Sequence, residues 1–320
     1  MWFISDENFK TFADEISKEY TLYFPVLKET RYNWKKYQKD DEISLDGFRT
    51  DLPAKYFFYA TQEELRQKEK TPFAVLGMRA CDLEGLKLLK KIYLDEPQDP
   101  YFRDENLIIT ADCTDCGENC FCTVLGKKPY AEDGFDLNFS RTDGGFFVQT
   151  GTQKGNALIE KLKELFIKAT EEHKYSVSRR REEILKKVSE KNNNQEIVLK
   201  ELGEKIEKNR EVFEEFSKTC VSCSACTNIC PACFCFFLSE GAKGKIRYAD
   251  SCQFKGYARV AGGANPRKEL APRFKHRFLC KFSFRPQMQE YTGCTGCGRC
   301  IDGCQGKIDF KEVILKVYET

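Results

Sequence analysis

Apolar residues recur at three- and four-residue intervals near the start of the chain. They are Phe9, Phe12, Ala13 and Ile16. This spacing places them on one face of a helix. Residues 21–26 then form a short apolar segment that predicts a β-strand. Because proline has no amide hydrogen for a central ladder, Pro25 predicts that this strand lies at the edge of its sheet.

Two unbroken apolar runs predict buried parallel strands. Residues 72–78 form the first run, and residues 83–89 after it have helical spacing. Residues 106–110 form the second run. A hairpin pattern at 144–148 closes this region. Together these patterns predict an α/β amino-terminal domain over residues 1–155.

The composition then changes to Lys and Glu with apolar residues at helical intervals. This pattern predicts a helical connector over residues 156–218, interrupted by three Asn at 192–194. Its charges are interpreted as exposed helix faces. The remaining residues, 219–320, contain most of the Cys and predict a separate carboxy-terminal domain.

The overall composition is that of a globular protein. The chain has 320 residues, of which 41% are hydrophobic and 32% charged, and a formal net charge of +2, which does not indicate nucleic acid as a partner. No apolar run approaches membrane-spanning length, and residues 1–7 do not resemble a secretory leader. Seventeen Cys in so long a chain favour reduced, metal-binding thiols over a disulfide framework, which predicts a cytoplasmic protein.

Eight Cys near the carboxyl end follow the spacing of bacterial ferredoxins. In that spacing, three thiolates of one run bind one 4Fe-4S cluster and the fourth binds the cluster of the other run. The sequence therefore predicts cluster I on Cys220, Cys223, Cys226 and Cys304 (set I), and cluster II on Cys294, Cys297, Cys300 and Cys230 (set II). A ferredoxin-like α+β domain with two clusters follows from this assignment. Packed or disulfide-bonded thiols are the weaker alternative.

A third group of Cys lies in the amino-terminal domain. Cys81 follows the first buried strand and Cys113 follows the second, so neighbouring strands would bring them together. The predicted ligands are Cys81, Cys113, Cys120 and Cys122 (set III), with Cys116 as a spare thiol. Four thiolates suit either a 4Fe-4S cluster or structural zinc, and unliganded thiols are a further alternative.

An insert at residues 231–290 separates the two ferredoxin runs and carries four further Cys. They are Cys233, Cys235, Cys252 and Cys280 (set IV), which predict a fourth cluster, with structural zinc or free thiols as alternatives. The insert is also rich in Lys and Arg, and these cations would offset the negative charge of a cluster bound by four thiolates. Nucleic acid is a weaker explanation because the whole chain is nearly neutral, with a formal net charge of +2.

Several motifs in combination resemble a known family over nearly the whole chain. They are Arg79-Ala80-Cys81-Asp82, Asn119-Cys120-Phe121-Cys122, Asp133-Gly134-Phe135-Asp136-Leu137, Cys230-Pro231-x-Cys233-x-Cys235, Asp250-Ser251-Cys252-Gln253-Phe254, Ala261-Gly262-Gly263 and Gly293-Cys294-x-Gly296-Cys297-Gly298-Arg299-Cys300. The chain resembles the iron-sulfur beta subunit of cytosolic sulfhydrogenase-type NiFe hydrogenases and the related iron-sulfur subunit of anaerobic sulfite reductase. The resemblance implies a non-catalytic electron-relay subunit. The implied partners are hydrogenase or sulfite reductase catalytic subunits and a flavoprotein NAD(P)H-binding subunit.

Two features depart from the family pattern, and two other functional classes compete with it. Cys116 is additional, and Gln305 stands after the last Cys where Pro231 follows the first run. An enzyme with its own substrate site would need a cluster with only three Cys beside an acid or base. An iron-sulfur sensor of redox state or nucleic acid would need a recognition element, and the sequence suggests none. No Gly-x-Gly-x-x-Gly follows either buried strand, so a nicotinamide site is not predicted.

Overall fold

The computed structural model describes residues 1–65, 71–104 and 106–320. The strands are β1 (Trp2–Ser5), β2 (Thr21–Lys28), β3 (Arg31–Lys36), β4 (Gln62–Glu64), β5 (Phe73–Met78), β6 (Leu107–Ala111), β7 (Leu137–Thr142), β8 (Gly145–Thr150), β9 (Ile167–Lys168), β10 (Phe236–Gly241) and β11 (Gly244–Ala249). The α-helices are α1 (Asp6–Glu19), α2 (Lys55–Phe58), α3 (Ala80–Leu94), α4 (Gln153–Lys161), α5 (Glu171–Lys191), α6 (Leu199–Lys208), α7 (Glu211–Ser217), α8 (Ala225–Asn228), α9 (Leu270–Leu279), α10 (Arg285–Gln289), α11 (Arg299–Asp302) and α12 (Phe310–Glu319).

A mixed sheet forms the amino-terminal half, with strand order β3-β2-β5-β6-β7-β8-β1-β9. The strands β2, β5, β6 and β7 are parallel, and the remaining pairs are antiparallel. All residues of β5 and β6 are buried, as their unbroken apolar runs predict. The four apolar residues at helical spacing lie on α1, and all four are buried against this sheet.

The prediction that the strand with Pro25 lies at an edge is wrong. β2 lies between β3 and β5, and β3 is the edge strand. β5 pairs only with residues 21–23 of β2. Pro25 lies beyond this stretch, so its missing amide hydrogen interrupts no bond to β5.

Helices α4 to α7 come after β8 and occupy much of the charge-rich part of the chain. α5 ends at Lys191, and Asn193 and Asn194 after it have φ angles of 54° and 53°. β9 joins the first sheet although it lies beyond residue 155. The domain boundaries therefore remain predictions. Among the described helices, none combines the length and apolar character needed to cross a membrane.

A small sheet joins the insert to the amino-terminal half. β10 and β11 form a hairpin, and β4 pairs with β11. The buried Arg247 on β11 makes ion pairs with Glu63 at 2.8 Å and with Asp99 at 2.5 Å. The insert is therefore packed against the first half of the chain.

Candidate metal centres

The two ferredoxin runs follow the same backbone course. Ser222 and Ser224 flank the second Cys of the first run with φ angles of 54° and 63°. Gly296 and Gly298 occupy the same positions of the second run with φ angles of 67° and 73°. Each run then enters a short helix, α8 or α11. The left-handed residues turn the chain tightly, so that the thiols of one run can approach one cluster.

Glycine is required in the second run because another loop packs against it. A Cβ on Gly298 would overlap the carbonyl of Asn119, and a Cβ on Gly296 would overlap the backbone of Cys122. The amide of Phe121 donates a hydrogen bond of 2.8 Å to the Gly296 carbonyl. The loop that carries part of set III is thus held directly against the second run.

The Cys of set I line one cavity, in which Cys304 of the second run lies beside the thiols of the first run. Cys300, from set II, lines the same cavity. Cys223 is exposed, whereas Cys220, Cys226 and Cys304 are half-buried. The structure therefore brings together the four predicted ligands of cluster I, next to one ligand predicted for cluster II.

The Cys of set II are neighbours in the interior. Cys294 lies close enough to Cys230 and Cys297 for their charges to interact, and Cys300 interacts in the same way with Cys294 and Cys297. Cys230, Cys294 and Cys297 are buried. The crossing thiol of Cys230 is thus placed among those of the second run.

Cys230 also adjoins set IV. The Nζ of Lys281 lies 3.1 Å from the Sγ of Cys230 and 3.6 Å from the Sγ of Cys233. A hydrogen bond from the Cys233 thiol and the charge of Lys281 lower the pKa of Cys230. These two sets therefore meet at Lys281.

Another cavity is lined by all of set III together with Cys116 and Cys297. Cys81 lies in the first turn of α3, directly after β5, and Cys113 follows the adjacent parallel strand β6. The predicted proximity of these two thiols follows from this pairing. That Cys297 of set II borders the same cavity was not predicted, because it depends on the packing of one half of the chain against the other.

The Cys of set IV line one cavity together with His276 and Arg277 of α9. The aromatic hydroxyl of Tyr257 lies 3.4 Å from the Sγ of Cys235. Exposed side chains of Phe284 and Met288 also line this cavity. The structure thus brings the four thiols together near the surface.

Burial makes most of these thiols poor acids. It raises the pKa of Cys252 and Cys294 to about 11 and that of Cys113 and Cys300 to about 12. Without a metal these four thiols are therefore protonated at neutral pH. Because thiolates are the ligating form, metal binding has to displace these protons. Among the residues that the structure describes, no three His, Cys, Asp or Glu side chains converge on the position of a single metal ion.

Buried arginines hold the loops that carry the thiols. Arg79 donates hydrogen bonds to the carbonyls of Ala111 and Asp112, directly before Cys113. Arg49 donates a hydrogen bond of 2.6 Å to the carbonyl of Cys297. Sequence reasoning assigned these residues no role, although Arg79 stands within a Cys-containing motif.

Arg299 connects the second run to the amino-terminal half. Its Nη2 lies 2.6 Å from the Oδ2 of Asp82, and both side chains are 1% exposed. Its Nε donates a hydrogen bond of 2.7 Å to the carbonyl of Thr50. Its Nη1 is buried without a partner in the described residues, and Cys81 and Cys297 are near its charge. A buried N–H beside soft thiolates suits the sulfur atoms of an iron-sulfur cluster as acceptors.

Two adjacent acidic side chains lie at the surface of the amino-terminal half. Glu132 and Asp133 are exposed and make ion pairs with Lys128 and Lys87. Their place in a solvated loop accounts for both residues.

Comparison with known proteins agrees with the thiol geometry. Residues 219–308 match the 4Fe-4S dicluster domain family. The chain is 31% identical to sulfhydrogenase 2 subunit beta of Pyrococcus furiosus, over 99% of this chain and 98% of that protein. The chain therefore belongs to the family of the sulfhydrogenase beta subunits, and it is an iron-sulfur electron-transfer subunit with a 4Fe-4S dicluster domain at its carboxyl end.

Proposed function

We propose that the chain relays electrons through four 4Fe-4S clusters, held by sets I to IV. The electrons pass between the catalytic subunit of a hydrogenase and a flavoprotein NAD(P)H-binding subunit, within an anaerobic cytoplasmic complex. A hydrogenase is favoured over a sulfite reductase because the relative that matches over its full length is a sulfhydrogenase subunit.

One observation carries this proposal: set II borders each of the other sets. Cys300 lines the cavity of set I, Cys297 lines the cavity of set III, and Cys230 lies beside Cys233 of set IV. Clusters held by these thiols would be close neighbours. Cluster II would then be the branch point of the relay. Electrons would pass between the other three clusters through it.

The clusters, when bound, supply one-electron oxidation and reduction. The protein's own residues hold the thiolates, exclude water and place positive charge beside them. Burial of Cys230, Cys294 and Cys297 keeps water from set II. Electron transfer through the clusters makes and breaks no bond in a substrate. The partner subunits therefore carry out the bond chemistry.

The proposal predicts that the chain alone is not reduced by nicotinamides. Anaerobic holoprotein mixed with NADH or NADPH should keep its cluster absorbance, because neither β5 nor β6 is followed by a dinucleotide fingerprint and Cys occupy those strand ends. Dithionite should bleach the absorbance. NADPH should also bleach it once a ferredoxin-NADP reductase is added as the flavoprotein.

The controls separate two failures. Bleaching by NADH or NADPH before the flavoprotein is added would show a nicotinamide site on this chain. It would refute the proposal that a separate flavoprotein subunit binds the nicotinamide. Holoprotein that dithionite cannot reduce would refute the relay itself.

A further inference from the structure

Three buried cations lie at four-residue intervals on one side of α9 and the π-helical segment Cys280–Phe284 that follows it. They are Arg273, Arg277 and Lys281, which are 7%, 5% and 3% exposed. Burying a charge is costly unless it has a partner. No carboxylate in the described part of the chain makes an ion pair with any of them. Their partners therefore have to be dipoles or thiolates.

The contacts of the three cations differ. Arg273 donates to the carbonyls of Gln253 and Lys268, so its charge is directed at the backbone. Arg277 donates a hydrogen bond of 3.2 Å to the carbonyl of Cys226 and lines the same cavity as Cys300. The Nζ of Lys281 lies 3.1 Å from the Sγ of Cys230 and 3.6 Å from the Sγ of Cys233. Arg277 and Lys281 thus face Cys thiols, whereas the donors of Arg273 face carbonyls.

Arg277 lies where three Cys sets meet. The groups that interact most strongly with its charge are Cys226 of set I, Cys300 and Cys230 of set II, and Cys233 of set IV. Its Nε is buried without a partner in the described residues, and its guanidinium lies over the Phe310 ring, 4.3 Å from the centroid. The side chain lines both the set I cavity and the set IV cavity. A guanidinium remains charged at any working pH, so this charge is permanent.

We propose that Arg277 is the shared counter-ion of clusters I, II and IV, and that it raises their reduction potentials together. The proposal rests on the relay function. A reduced cluster carries one more negative charge than the oxidised one, and a fixed cation nearby stabilises the reduced form. Because the cation is common to three sites, it shifts their potentials in the same direction and so raises them relative to that of cluster III. Set III lies outside this arrangement, since Arg277 lines the cavities of sets I and IV but is not among the residues that line the set III cavity.

The test is a redox titration of anaerobic holoprotein followed by electron paramagnetic resonance. Arg277→Gln removes the charge and keeps a hydrogen-bonding side chain, whereas Arg277→Lys keeps the charge. Arg277→Gln should shift the reduction potentials of clusters I and II to more negative values. The expected shift is about 59 mV, which corresponds to about a tenfold change in the equilibrium constant of one-electron reduction. Arg277→Lys should restore most of the shift, and cluster III should not move.

Arg273→Gln is the matched control, because Arg273 is equally buried on the same helix and its donors face carbonyls. It should leave the potentials of clusters I and II unchanged. Unchanged potentials in Arg277→Gln with full iron content would overturn the proposal, as would an equal shift in the Arg273 variant. If Arg277→Gln does not assemble its clusters, Arg277→Met, which also removes the charge, is titrated in its place, and unchanged potentials in that variant would likewise overturn the proposal. Wild-type protein without reducible clusters would instead refute the relay.

Discussion

Replacing Cys230 by Ser is expected to remove cluster II and to leave cluster I in place. The reason is the crossing of ligands: Cys230 belongs to the first run in sequence, but its neighbours include Cys294 of the second run. The cavity of the first run is completed by Cys304. The variant should lose about four iron atoms per chain. Because cluster II is the proposed branch point of the relay, its loss should severely slow electron exchange among the remaining clusters.

Cys→Ser variants of the other sets serve as references that identify which cluster the Cys230 variant has lost. Spectra of the Cys230 variant should match those of Cys294→Ser and differ from those of Cys226→Ser, which removes a ligand of set I. Cys252→Ser serves as the reference for set IV, because Cys230 also lies beside Cys233. A Cys230 variant that matches the Cys226 variant would contradict the crossed ligation. One that matches the Cys252 variant would place Cys230 in the fourth site.

Asp82→Ala is expected to destabilise the holoprotein by about 3–5 kcal/mol, because it leaves the buried charge of Arg299 without its carboxylate. Asp82 also accepts a hydrogen bond of 3.1 Å from the amide of Ala54. The pair joins α3 to the second ferredoxin run, so its loss should loosen the contact between the two halves of the chain. The measurement is the unfolding midpoint under anaerobic conditions, with the iron content determined in parallel.

Two comparisons give this prediction its control. The double variant Asp82→Ala, Arg299→Met removes both charges and should be less destabilised than the single variant. Glu214→Ala on α7 breaks the exposed ion pair with Arg210 and should change the midpoint little. Equal midpoints for the Asp82 and Glu214 variants would show that the buried pair does not join the halves as proposed.

Those parts of the fold that depend on local sequence were predictable. The unbroken apolar runs indicated β5 and β6 as buried strands, and both are buried throughout. Their pairing as parallel neighbours was left open by the sequence and is given by the structure. The position of β2 was not predictable from its proline, because strand order depends on which distant segments pair. The pairing of β4 with β11 was missed for the same reason.

In the candidate site too, features set by local sequence were predictable, and features set by the packing of distant segments were not. Spacing alone identified the two ferredoxin runs, since each run folds locally into a tight turn and a short helix. The contact of Cys297 with the set III cavity required the packing of one half against the other. The sequence did not indicate the proposed role of Arg277. The insert contains many cations, and the sequence does not show which of them are buried. The four-residue spacing of Arg273, Arg277 and Lys281 was the available signal.

The central claim is that all four Cys sets hold 4Fe-4S clusters, and metal analysis of the anaerobically purified chain tests it most directly. Iron and zinc should be determined on the same sample, with Mössbauer spectra to identify the cluster type. The account predicts about sixteen iron atoms per chain, all in 4Fe-4S clusters, and no stoichiometric zinc. About eight iron atoms with one or two zinc ions would contradict it and would reassign sets III and IV as structural zinc sites.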